Sequence, residues 1–428
     1  MERSLRFVLL GTFTLRFSTG LTGAMLGLYL AHLPRHGGQE VDAVVVGIYA
    51  AIFYLTELVL SPIFGILSDR FGHHRIMVYG PIFGGIAVVL TGLTTSLPLL
   101  GVTRTLEGAS TAASVPSILG FVALATAGNE ILRGKAAARF EGATLAGLGV
   151  GFIVAPKLFE AIGPTAFFLN AAIYGISFVI YRWGVKDPAG EVEAVASSHV
   201  GADRYVQLIR SSHVLLLAPT WVAVNASIGL WFSQSLFQFS RPHPEFPDQR
   251  LMAGFDANQI TIAAIIIAIV FGAGLLYWGN RFKAMRRTTI IGYGIVGGGV
   301  LVGAGLVANH SGGLPLVIVL AAVIVAGAGL FVLAGATPAA LGLLADISEQ
   351  FPTDRGAIMG LYSVFLAIGQ IAGSLIGGFA AHLLGIDGML VATAVLLVIA
   401  VVPLSRLRAD EHRLDAPTAD VPEGSATA

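Results

Sequence analysis

The chain has 428 residues, of which 55% are hydrophobic and only 12% charged, and its mean hydropathy is +0.81. A water-soluble domain carries about 25% charged residues, so this composition excludes a fold with water on all sides. Lys and Arg balance Asp and Glu at 25 each with no basic block, which argues against a nucleic-acid partner, and the absence of cysteine removes disulfides, thiol nucleophiles and thiolate metal sites.

Crossing hydrocarbon takes about 20 apolar residues. Taken in chain order, the first six spans are expected at residues 7–33, 41–67, 76–95, 99–127, 139–160 and 165–185. The first is too long for the apolar core of a signal peptide, about 7 to 15 residues, and reads as a retained span. A polar stretch rich in Asp, Glu and Ser follows, and six further spans are expected at 214–240, 257–278, 288–308, 314–345, 356–383 and 389–404. The predicted fold class is therefore an all-α membrane protein with twelve transmembrane helices in two pseudo-symmetric six-helix bundles. The halves are 1–185 and 213–405, joined by a cytoplasmic linker at 186–212. The segment 406–428 has no apolar periodicity after its first residues and is expected to be a disordered cytoplasmic tail.

With the N-terminus in the cytoplasm, 19 of the 25 Lys and Arg fall in cytoplasmic segments, three (Arg35, Arg241, Arg250) outside and three (Arg16, Arg104, Lys157) within spans. The positive-inside rule then places both termini in the cytoplasm, which fits an integral plasma membrane protein. An internal repeat supports the six-plus-six division. Arg133-Gly134 precedes Gly147 and Gly151 at the spacing by which Arg355-Gly356 precedes Gly369 and Gly373, an offset of 222 residues. Asp69-Arg70 followed by Arg75 is echoed by Asn280-Arg281 followed by Arg286 at an offset of 211.

Between the second and third spans stands Gly65-Ile66-Leu67-Ser68-Asp69-Arg70-Phe71-Gly72-His73-His74-Arg75. This run resembles the signature G-x-L-x-D-R-x-G-x-[RK]-[RK] of the major facilitator superfamily, with His74 the one departure. The resemblance implies secondary transport by alternating access, and a gating role for Gly65, Asp69, Arg70, Gly72 and Arg75 as a latch on the cytoplasmic side. Arg104-Thr105-Leu106-Glu107-Gly108 in span four resembles a second motif of the family, R-x-x-[QE]-G. In the drug/proton antiporter branch the fifth helix carries G-x-x-x-G-P-x-x-G-G. Gly147 and Gly151 match it with Phe152 at the proline position, and Gly369, Gly373, Gly377 and Gly378 match it in span eleven with Ser374 there. These glycines are expected to be gating elements or helix-packing contacts.

A charge at the centre of a span costs roughly 2.5 to 3.5 kcal/mol on insertion scales, so a retained one faces a cavity or a partner. Arg104 and Glu107 share a helical face at i, i+3 and are expected either to pair structurally or to exchange a proton. Arg16 and Glu57 lie level on antiparallel spans, and a contact between them is expected near mid-membrane. Trp221, Asn225 and Phe232 fall on one face of span seven and offer aromatic and amide contacts to an amphipathic ligand, or an ordinary packing face. Lys157 and Glu160 are expected to reach the outer interface.

No nucleotide motor is visible, since Gly134-Lys135 is followed by Ala136, and no catalytic constellation appears among the ten His. No cofactor and no metal are called for. The expected partners are a small-molecule substrate, protons and the bilayer, with the chain acting as a monomer. The leading expectation is proton-coupled efflux of a small amphipathic compound. Uptake of a small organic anion, paired with Arg16 or Arg104, is the alternative, and a non-transporting sensor on the same scaffold is a third.

Overall fold

The computed structural model describes residues 2–126, 130–186, 214–281, 284–349 and 355–414. Among the described residues there is no β-strand, and the helices make twelve passes. The first six are α1 (Glu2–Ala31), α2 (Ala43–Phe71), α3 (His73–Leu93), α4 (Leu97–Ala125), α5 (Glu130–Ile162) and α6 (Ala166–Val179, extended by a π-turn Ile180–Gly184). The second six are α7 (Val214–Phe239), α8 (Ala257–Gly279), α9 (Arg287–Asn309), α10 (Leu316–Leu333, resumed as Ala336–Glu349), α11 (355–384) and α12 (386–414). The linker expected at 186–212 lies outside the described residues apart from Lys186. The last helix runs on to Leu414, so residues 406–414 of the expected tail are helical, and 415–428 lie outside the described residues.

Among the described residues eight helical stretches are long and apolar enough to cross a membrane on composition alone, and two of these, Ala138–Gly184 and Ser363–Ala409, each hold two passes. The other two passes are α1 and α7. α1 carries Arg16 with Ser18, Thr19 and Thr22, and α7 carries Asn225, Gln234 and Gln238. Both are wrapped by other helices rather than by lipid, with Ser18, Thr22, Asn225, Gln234 and Gln238 all buried, so their polarity is met by protein partners. Asn170 of α6 donates from Nδ2 to the Ser18 carbonyl at 3.0 Å and to Thr22 Oγ1 at 2.7 Å.

Within each half the central crossing is set by glycines. A Cβ at Gly147 would fall on the Phe13 carbonyl and the Arg16 Cβ of α1, and one at Gly151 on the Phe17 carbonyl and Leu21 nitrogen. In the second half Gly369 abuts the Val222 carbonyl and Asn225 Cβ of α7, and Gly373 abuts the Ala226 carbonyl. The repeat at offset 222 is thus a repeat of backbone contacts, α5 on α1 and α11 on α7. Without a hydrophobic driving force between helices in lipid, such close approach supplies the packing that holds them together.

The face carrying the N-terminus of α1 is called the terminal face here, and the other the far face. At the far face the second half is laced together. Asn309 Nδ2 donates to Asp387 Oδ1 at 2.8 Å and to Gln249 Oε1 at 3.2 Å, Gln249 Nε2 donates to the Leu384 carbonyl at 2.9 Å, and His310 Nε2 meets Asp387 Oδ2 at 2.8 Å. This knot joins the α7–α8 loop, the end of α9 and the α11–α12 corner. The corner is a single residue, Gly385, at φ 60° and ψ −141°, a backbone conformation that side chains disfavour.

The seam predicts a contrast between two neighbouring glycines. Gly151→Val should lower the thermal stability of the purified protein by the cost of overpacking, about 1–3 kcal/mol. Gly149→Val, where a Cβ meets nothing within 4 Å, should change it by less than about 0.5 kcal/mol. Thermal unfolding in detergent reads both, and equal effects would remove the seam from the account.

Candidate functional site

The two halves touch at the far face. Gly47 of α2 lies against Ser374 and Gly378 of α11, and Gly27 of α1 against Leu236 and Phe237 of α7. Gln234 Nε2 donates to the Ala43 carbonyl at 2.9 Å and Arg241 Nη2 to the Val41 carbonyl at 3.3 Å. Two ion pairs join the same edge, Arg241 with Glu40 at 3.6 Å and His382 with Asp42 at 3.8 Å. These cross-half bonds all lie at the far face.

From there toward the terminal face the halves part. On α2 the stripe facing the second half begins buried at Ala43 and Gly47, then becomes partly accessible at Tyr54, Glu57, Ser61 and Phe64. The lipid-exposed residues of the same helix, Leu55, Val59 and Ile66, lie on the opposite side. On α1 Gly27 is buried, while Gly23 is exposed and Gly20, Arg16 and Phe13 are partly so. On α5 Phe152 touches Phe232 of α7 across the halves at 5.8 Å between ring centroids, and Leu148, Leu145 and Glu141 continue its stripe with Glu141 and Leu145 exposed. The faces of α1, α2 and α5 that meet the second half are therefore buried at the far face and accessible toward the terminal face.

Three ionisable side chains lie on those faces. Arg16 of α1 acts electrostatically on Glu57 of α2 and on Glu141 of α5, and Tyr54 stands within reach of both Arg16 and Glu57. The expected direct contact of Arg16 with Glu57 is not made: no ion pair within 4 Å joins them, and Gly147 draws α1 onto α5 at the Arg16 Cβ. Glu141 carries no motif in the sequence. Its signal is a carboxylate at i−4, i−7 and i−11 from Leu145, Leu148 and Phe152, which becomes meaningful once Phe152 is known to face the other half.

Arg104 and Glu107 are placed differently. They form an ion pair within α4 and are only 6% and 2% exposed. The Arg104 guanidinium lies 4.8 Å from the Phe53 ring centroid and its Nε points at the Tyr49 carbonyl at 3.5 Å, which closes the pair against α2. Of the span-seven face, Trp221 and Asn225 are buried, with Asn225 Nδ2 donating to the Trp221 carbonyl at 2.9 Å and its Cβ against Gly369, whereas Phe232 is exposed toward the first half. Lys157 and Glu160 pair at 2.6 Å on an exposed edge.

The signature loop is bonded within its own half. His73 Nδ1 meets Ser68 Oγ at 3.1 Å and its ring packs on Gly120 of α4, Asp69 lies 3.8 Å from the His73 ring nitrogen, and His74 Nε2 donates to the Tyr181 carbonyl at 2.8 Å. Among the described residues Arg70 and Arg75 make no ion pair. Gly72, at φ 96°, makes the turn between α2 and α3.

Two six-helix bundles that pack together at one face and leave ionisable side chains accessible between them toward the other have the architecture of a carrier. The family model described as Major Facilitator Superfamily matches residues 8–326 and again 251–427, so the chain belongs to that superfamily and is a transporter, not an enzyme. Multidrug resistance protein 1 of Bacillus subtilis (strain 168) is 25% identical over 349 residues, covering 79% of this chain and 81% of that one. The quinolone resistance protein NorA of Staphylococcus aureus (strain MSSA476) is 21% identical over 384 residues, covering 88% and 90%. Among solved structures, a variant of the nucleoside transporter NupG aligns with TM-score 0.68 at 15% identity, covering 94% of this chain and 99% of that one. A bacterial homologue of the human lysosomal transporter Spinster, in an inward-facing and unoccupied conformation, aligns with TM-score 0.68 at 13% identity, covering 95% and 96%. The two solved structures share the fold.

Two measurements probe this geometry. Glu107→Gln should leave Arg104 as an uncompensated buried charge and cost about 3–5 kcal/mol of stability, with Arg104→Gln/Glu107→Gln recovering most of it; a single variant as stable as the parent would show that the pair is not sealed. Because the chain has no cysteine, Gly27→Cys/Leu236→Cys can be introduced on a clean background. A Cβ at Gly27 lies 3.3 Å from Leu236 Cβ, near disulfide range, so oxidation should cross-link the halves and stop transport until reduction; failure to cross-link would contradict a closed far face.

Proposed function

We propose that this chain is a proton-coupled exporter of small amphipathic organic compounds, working as a monomer in the plasma membrane with both termini in the cytoplasm. In this reading the terminal face is cytoplasmic and the space between the halves collects substrate from inside the cell. The observation that carries the reading is the grouping of Arg16, Glu57 and Glu141 on faces that meet the second half and are accessible toward the terminal face. Two carboxylates within electrostatic reach of one guanidinium give a site whose charge changes by one unit with each proton. Protonation from the outside and release to the inside then alternate with binding and release of substrate as the halves rock.

The multidrug resistance relatives, at 25% identity, support export. Uptake of an organic anion is less well supported, because the described faces carry two carboxylates against one guanidinium. Arg104, the other cation an anion would need, is closed in its pair with Glu107. Arg16 is assigned the counter-charge, Glu57 and Glu141 the proton, and Phe152 and Phe232 an aromatic roof against which a planar apolar group can stack. Asp69, Arg70 and Arg75 are assigned the latch that closes the terminal face in the alternate state.

Everted membrane vesicles containing the protein test this, with ethidium as the probe. Acidifying the vesicle interior should drive ethidium accumulation, and Glu57→Gln or Glu141→Gln should each reduce it by roughly tenfold or more. Accumulation that survives collapse of the proton gradient, or that is unchanged in both variants, would sink proton-coupled export.

A further inference from the structure

Away from that site, α3 and α6 leave a groove of about 490 Å³ on the lipid-facing surface of the first half. Its walls are apolar, with Ile82, Ile86 and Val89 on α3 and Gly175 and Phe178 on α6. Gly175 keeps it open, since a Cβ there would meet nothing within 4 Å. Neighbouring Ile82, Ile86 and Ile176 are exposed, as expected for a surface that meets acyl chains.

Followed toward the terminal face, both helices reach an arginine beyond the groove's own lining. On α3 the series Arg75, Tyr79, Ile82, Ile86 runs at i, i+4, i+7 and i+11, and on α6 the series Ala171, Gly175, Phe178 leads into the π-turn that carries Arg182. The residues just before the two arginines are joined by a bond that depends on the chain's own departure from the family signature. His74 Nε2 donates to the Tyr181 carbonyl, so the residue after each partner, Arg75 and Arg182, stands at the same end of the groove. Both are exposed, and among the described residues neither has an ion-pair partner. Tyr79 and Trp183, 47% and 65% exposed, flank them at the level where aromatic residues meet the headgroup region. From Arg75 to Ile86 is eleven residues, about 16 Å at 1.5 Å per residue, close to half of the roughly 30 Å hydrocarbon core.

An apolar slot one leaflet deep, capped by two arginines and an aromatic pair, has the shape and charge of one kind of ligand. We propose that the α3–α6 groove is a site for an anionic bilayer phospholipid, its acyl chain in the slot and its phosphate between Arg75 and Arg182. The site holds the lipid from the leaflet at the terminal face. Because Arg75 also ends the signature loop, a bound headgroup ties that loop to α6 and stabilises the first half in the conformation described here. This inference does not depend on the substrate or on proton coupling.

Purified full-length protein in detergent, presented with phosphatidylglycerol or phosphatidylcholine and examined by native mass spectrometry, tests the site. Phosphatidylglycerol should be retained preferentially and should raise the unfolding temperature. Arg75→Gln/Arg182→Gln should reduce its retention by about tenfold, to the level of phosphatidylcholine. Gly175→Leu, which fills open space in the slot, should reduce retention with the arginines intact and so separates the slot from simple surface charge. The proposal is overturned if the two lipids are retained equally, if both variants keep the preference, if inorganic phosphate alone gives the same stabilisation, or if ethidium displaces the lipid at the groove.

Discussion

Helices in lipid gain nothing from hiding apolar surface from one another, so the distance at which two backbones meet decides which contacts hold. In this chain that distance is set by glycine. Gly147 and Gly151 bring α5 onto the backbone of α1, Gly369 and Gly373 bring α11 onto α7, and Gly47 and Gly378 bring the halves together at the far face. The consequence reaches the site, because the contact of Gly147 with the Arg16 Cβ fixes where the Arg16 side chain starts. A larger residue at that crossing would move Arg16 relative to both carboxylates without touching any of the three charged groups.

Charges placed within a membrane have two physical solutions, and both occur here. Arg104 and Glu107 neutralise each other in a pair closed against Phe53 and Tyr49, where the missing solvation is replaced by an ion pair, a ring face and a carbonyl. Arg16, Glu57 and Glu141 instead keep some accessibility and are held within electrostatic reach rather than in direct contact. A sealed pair is fixed by low dielectric, whereas a loosely shared cation can change partners when one carboxylate gains a proton. The first arrangement suits a strut and the second suits a site that has to change state.

Much of the architecture was legible in the sequence, since run lengths, the signature loop and the repeat at offset 222 led to twelve passes in two related halves. The site was legible only in part. Arg16 and Glu57 stood out because charge within an apolar run is conspicuous, whereas Glu141 is the third residue of a span expected to begin at Arg139 and matches no motif. Arg104 and Glu107 looked the same as Arg16 and Glu57, because periodicity shows which residues share a face and not what that face meets. Trp221, Asn225 and Phe232 share a stripe, yet the stripe meets α11 at one depth and α5 at another where the helices cross. That information resides in crossing angles, which no single helix encodes.

The knot of Gln249, Asn309, His310 and Asp387 fastens three separate stretches of the second half at a point beside the one-residue corner at Gly385. A corner with no slack cannot let α11 tilt without carrying α12, and the knot obliges α9 and the α7–α8 loop to follow. The far rim of that half must therefore turn as one stiff lever. Its short arm would be the crossing at Gly47 and Gly378, so a small slip there is magnified into a wide swing at the other end of the bundle.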